Sequence, residues 1–112
     1  MANLVGIVGG AGRIHQNARA DALVASCLEQ FASGRIAALY DLGVAFSTAS
    51  HGVACDLVEA HKWFNIAAAR GHEEAAWCRA DVADEMTARE IAEAQRRARE
   101  WLRSDAVERR AA

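Results

Sequence analysis

The stretch ALYDLGVAFSTASHGVACDLVEAHKWFNIAAARG, residues 38–71, decides how this chain folds. In its first half Leu39, Leu42, Gly43 and Phe46 recur at helical spacing. In its second half Leu57, Ala60, Phe64, Ala67 and Ala68 recur the same way. A loop containing Gly52 separates the two runs, and Asp56 stands where its carboxylate caps the second helix. Neither helix can bury its apolar face alone. The two must pack as a hairpin, and the hairpin must pack against neighbours.

Working outward, residues 18–33 read as another helix, with Ala20, Leu23, Val24, Cys27, Leu28 and Phe31 on one broad apolar face. Asn17 is placed to cap its start and Gly34 its end. Gly34 stands four residues before Ala38, as Gly71 stands four before Ala75, so this helix takes the place of the second half of a preceding, degenerate unit. After Gly71 the pattern restarts: Ala75, Ala76 and Trp77 mirror Ala38, Leu39 and Tyr40. Where Leu42 and Gly43 stand in the first unit, the next has Arg79 and Ala80, so the helix over roughly 73–85 is diverged. Thr87 and Glu90 form a capping box that opens a last helix over 88–103, with Ile91, Ala94, Ala98, Trp101 and Leu102 as its buried stripe. Residues 104–112 are polar apart from Val107 and the terminal alanines, and are expected to fray.

Residues 1–17 differ from the rest. Leu4 to Val8 is β-like and, with Gly6, Gly9, Gly10 and Gly12, resembles a strand running into a dinucleotide-binding turn in which backbone N–H groups approach a pyrophosphate. The spacing G-x-G-x-x-G is absent and no second strand follows, so the segment is expected to be a flexible or partner-ordered arm. The alternative reading of the whole chain, a small nucleotide- or ligand-responsive regulator, rests on this segment.

Length and composition bound the rest. The chain has 112 residues, is 53% hydrophobic and 25% charged, and contains no proline, which suits one helical globular domain. A net charge of -2 offers no general attraction to nucleic acid. No apolar run reaches membrane-spanning length, and the start lacks a basic, then apolar, leader pattern, so a cytoplasmic location is expected. Cys27, Cys55 and Cys78 cannot all pair and fit no disulfide framework.

No catalytic constellation emerges. His51, Cys55 and His61 surround the central loop, but their spacing is not that of a zinc site, and they read as polar residues on or near a solvated loop. Cys27 falls on the apolar face of a helix and reads as a small buried hydrophobe. Arg96, Arg97, Arg99, Arg103, Arg109 and Arg110 interleave with Glu90, Glu93, Glu100, Asp105 and Glu108, the pattern of a salt-bridged, solvated helix. Neither a cofactor nor a metal is called for.

Residues 38–71 resemble a Sel1-like repeat, a relative of the tetratricopeptide repeat. The family pattern A-x-x-x-L-G-x-x-Y is matched by Ala38, Leu42, Gly43 and Phe46. The G-V-x-x-D loop is matched by Gly52, Val53 and Asp56, and the closing helix by Ala60, Trp63, Phe64, Ala67, Ala68 and Gly71. The loop is one residue longer than the pattern and lacks its earlier glycine.

The resemblance implies an all-α fold: a short right-handed αα solenoid of about five helices. Its repeat domain covers 18–103, with a full repeat over 38–71 and a diverged one over 75–103. It implies that Gly43 lets the hairpin helices approach closely and that Trp63 and Phe64 fill the gap between hairpins. Secreted members carry a regular cysteine pair in each repeat, which this chain lacks; its compactness suits a bacterial member.

By resemblance the function is that of a non-catalytic adaptor or scaffold for protein partners, without nucleic acid or membrane. Self-association through the open ends of the stack is the further partner expectation. First helices of successive repeats line a concave binding face in this family. The expected partner-binding residues are therefore the equivalent pairs Tyr40 and Trp77, Val44 and Asp81, and Ser47 and Asp84. Tyr40 has two readings, contact residue or inter-repeat core.

Overall fold

A computed structural model describes residues 18–111. The arm over 1–17, with its glycine-rich turn and the Asn17 cap, lies outside the described residues, as does Ala112. Among the described residues the chain is all-helical, with five helices: α1 over 18–32, α2 (Ala37–Thr48), α3 (Leu57–Ala69), α4 (Glu73–Ala83) and α5 (Ala88–Ala111).

α3 is the central element and packs against α2, α4 and α5. Its inward side chains Ala60, Trp63, Phe64, Ile66 and Ala67 are all buried. Asp56 caps it, accepting the Glu59 N–H at 3.1 Å. α2 runs antiparallel to α3, as the expected hairpin requires. Its residues Leu39 and Leu42 are fully buried, and Tyr40 and Gly43 both meet Phe64. A Cβ on Gly43 would lie 2.5 Å from two carbons of the Phe64 ring, so only glycine lets the ring rest on the α2 backbone.

The helix ends repeat one device. Arg35 N–H reaches the Gln30 carbonyl at 2.9 Å around Gly34, and His72 N–H reaches the Ala67 carbonyl at 3.0 Å around Gly71. Both glycines have positive φ, as this closing turn demands. α2 ends the same way, with Ser50 N–H on the Ala45 carbonyl at 3.1 Å, but the left-handed residue is Ala49, at φ 56°. The glycine missing from the loop is missing here, and an L-residue carries the strain.

α5 differs from expectation at both ends of its length. It does not fold back on α4 as the second half of a hairpin over 75–103; α4 and α5 make little contact with each other. The reason lies in α4, where Leu39, Leu42 and Phe46 of α2 are answered by Ala76, Arg79 and Ala83, which leave little apolar surface beyond the side turned to α3. Only Ala75 and Val82 of α4 are buried. α5 lies instead parallel to α3: Arg97 bonds Glu59 at 3.0 Å, Trp101 meets Trp63 edge-on at 5.7 Å between centroids, and Asp105 bonds Arg70 at 2.5 Å. The capping box forms as expected, with Thr87 N–H on Glu90 Oε1 at 2.9 Å and Glu90 N–H on Thr87 Oγ1 at 3.1 Å.

The frayed tail over 104–112 is likewise corrected, because α5 continues to Ala111. Asp105, sequestered beside Arg70, also accepts from Arg109 Nε at 2.9 Å, and the Arg109 guanidinium sits 5.2 Å over the Phe31 ring of α1. These partners come from α1 and the end of α3, so the extension is anchored at a distance in sequence.

Two substitutions of opposite sign test the hairpin geometry. Gly43→Ala gains helix propensity of about 1 kcal/mol but drives a methyl into the Phe64 ring, and a net loss of about 1–2 kcal/mol is expected. Ala49→Gly relieves the left-handed strain and is expected to gain about 0.5–1 kcal/mol despite the freer unfolded chain. Urea unfolding of both variants, at unchanged denaturant dependence, measures each difference.

Candidate partner-binding surface

The six residues expected to bind a partner separate into two groups of three. On α2, Tyr40, Val44 and Ser47 are half-buried. The Tyr40 ring stacks on His72, with centroids 4.4 Å apart and planes at 14°, and lies 5.6 Å from the Phe64 centroid. Its hydroxyl is 3.7 Å from Cys78 Sγ of α4. That contact, followed by partial burial, raises the tyrosine pKa. Tyr40 thus packs α2 against α4. Val44 lines a cleft of about 320 Å³ on the α1 side, together with Cys27, Asp41 and His51. Ser47 spends its hydroxyl on the Val44 carbonyl at 3.1 Å.

On α4 the opposite holds. Trp77 is 77% exposed, the most exposed large apolar side chain among the described residues, and Asp81 and Asp84 are exposed with it. Helical spacing puts Asp81 one turn and Asp84 two turns beyond Trp77, with Glu73 and Glu74 one turn before it. All four carboxylates are exposed, and none is in an ion pair among the described residues. The single basic residue of α4, Arg79, points the other way and bonds Asn65 of α3 at 3.0 Å. The sequence reading missed Glu73 and Glu74, although their spacing from Trp77 was the available signal.

A second concavity was not legible at all. A groove of about 860 Å³ opens between the end of α1 and the last turns of α5, floored by Leu28, Phe31 and Trp101 and edged by Arg70, Asp105 and Arg109. It exists because α5 crosses to α1, a contact that no local pattern announces.

Few groups offer chemistry. Burial, then the charge of Asp41, pushes the Cys27 thiol pKa up, which is the reverse of what a nucleophilic cysteine needs. No three His, Cys, Asp or Glu side chains gather as a metal would require among the described residues. His61 is not on a solvated loop as expected: it is 3% exposed within α3, and its Nδ1 is buried without a partner. No described helix is long and apolar enough to cross a membrane. Comparison with models of known protein families, with curated proteins and with solved structures returned no match.

His61 makes stability depend on pH. Burial, then the nearby charge of Arg79, lowers its pKa below the ordinary histidine value. The unfolded chain therefore takes up a proton near pH 6.5 that the folded chain refuses until lower pH, so this contribution is complete above about pH 6.5 and lost as pH falls. Glu90, hydrogen-bonded to Thr87, and Glu93, paired with Arg96 and Arg97, have lowered pKa values and act at more acidic pH. The urea midpoint is expected to fall between about pH 7 and 5.5, and His61→Asn is expected to flatten that slope.

Proposed function

We propose that this protein is a non-catalytic protein-interaction module, a short right-handed αα solenoid built around one Sel1-like hairpin, that offers α4 to a protein partner. The observation that carries the reading is Trp77, 77% exposed in a helix whose opposite side is anchored on α3. An indole left in water on a rigid element is the kind of anchor from which protein interfaces draw most of their energy.

Other features support parts of the reading. The antiparallel pairing of α2 with α3 is what the two helices of one hairpin have, and the parallel course of α3 and α5 is what second helices of successive units have in a helical stack. Cys27, Cys55 and Cys78 are free, which suits a reducing, cytoplasmic compartment. The unpaired carboxylates around Trp77 repel phosphate, which favours a protein over nucleic acid or an anionic membrane.

Affinity capture tests this, with the intact chain and its Trp77→Ala variant as baits, followed by calorimetry with the purified captured protein. A saturable partner that binds the wild type and binds the folded variant at least about tenfold more weakly is the expected outcome. Failure to find any protein that binds saturably in purified form overturns the reading.

A further inference from the structure

We infer that the open face of α4 seats a basic, amphipathic helix of the protein partner, with Trp77 as its apolar anchor; this rests on the reading of the chain as an interaction module. The comparison of α2 with α4 leads there. Tyr40 of α2 is covered, because the next helical unit supplies His72 and Cys78 against it. Trp77 holds the equivalent place on α4, and no described element supplies the corresponding cover. α5, the element that sequence order would bring there, is committed to α3 and α1 through Trp101, Asp105 and Arg109. α4 is left as a helix built into the fold along one side and unclad along the other.

Charge decides what clads it. Glu73, Glu74, Asp81 and Asp84 flank Trp77 within three turns, exposed and free of ion pairs among the described residues. A second copy seated symmetrically on the same face would set carboxylate against carboxylate, and nucleic acid would set phosphate against it. A segment with lysine or arginine at both edges of an apolar stripe satisfies both parts of the surface. The receiving surface is the side of a helix whose backbone groups are already bonded, so it has no strand edge to extend. The anchor and its acidic rim are themselves spaced by helical turns, and a partner helix matches that spacing, reading Trp77 through an apolar residue and the rim through cations one turn to either side. The face spans 12 residues from Glu73 to Asp84, about 18 Å of helix axis, enough for roughly three turns of a partner.

The test uses two synthetic helical peptides of about 18 residues with one leucine stripe, the first carrying lysine and the second glutamate on its remaining positions. Trp77 is by far the most exposed tryptophan, Trp63 being 1% exposed and Trp101 half-buried, so a blue shift of the emission reports cover at the face. The lysine peptide is expected to bind saturably with a blue shift, more weakly as salt rises, and at least about tenfold less tightly to Trp77→Ala. Reversing the rim with Glu74→Lys and Asp81→Lys, both at exposed positions, is expected to transfer preference to the glutamate peptide. Circular dichroism melts establish that the variants fold.

The inference is overturned if neither peptide shifts the emission, if both bind the wild type equally, or if lysine-peptide binding ignores both sets of substitutions. A purified partner that cross-links to α4 through a segment without basic residues overturns it too, while leaving the interaction-module reading intact. Absence of any saturable protein partner overturns both.

Discussion

The fold depends on the contact between the Phe64 ring and the bare backbone at Gly43. With no Cβ in the way, α2 and α3 close to a distance at which Leu39, Leu42, Phe64 and Ala67 leave water almost completely. α3 thereby becomes a helix buried on most sides, and every other described element is placed by how it meets α3 or α2. α4 is held by Tyr40 and Asn65, and α5 by Glu59, Trp63 and Arg70. α1 meets the end of that assembly through Phe31 and Cys27. The hydrophobic term here is governed by backbone approach as much as by the size of the side chains.

What was legible in the sequence was local. Apolar spacing located four of the five described helices and the restart of the pattern after Gly71 located α4, and the devices that begin and end them lie within a few residues of each other. Asp56 with Glu59, Thr87 with Glu90, and the turns at Gly34 and Gly71 are all of this kind. The missing loop glycine was visible too, and the structure puts two L-residues of that loop, Ala49 and His51, in left-handed backbone. The course of α5 was not legible, because Ser104 to Ala111 is polar in isolation and becomes ordered helix through Arg70 and Phe31, which lie 35 or more residues earlier. Burial of His61 is of the same type: a polar residue on a helix face gives no local sign that its neighbours will close over it.

The candidate surface was half legible. Repeat equivalence pairs Tyr40 with Trp77 as positions, but equivalence of position is not equivalence of environment. Tyr40 has a successor helix to pack against and Trp77 has none among the described residues, so the same register gives a packing residue in one case and an exposed one in the other. The replacement of Leu39, Leu42 and Phe46 by Ala76, Arg79 and Ala83, two truncations and one charge, is the physical source of that difference, since it removes the apolar grip by which α5 would have folded over α4.

The crossing of α5 to α1 has a consequence for how the molecule comes apart. In a simple helical stack each unit touches only its neighbours, so the ends melt first and the transition spreads like a fraying rope. Here Trp101 contacts Phe31, and Arg109 sits over the same ring, so the last helix is buttoned to the first. Neither the first nor the last described helix is then free of the other. Opening one means breaking contacts that also hold the other, which couples the helices into a single cooperative unit. The cost falls on kinetics, because a loop of about 70 residues must close before that contact forms, and the strap is therefore among the later elements to settle during folding.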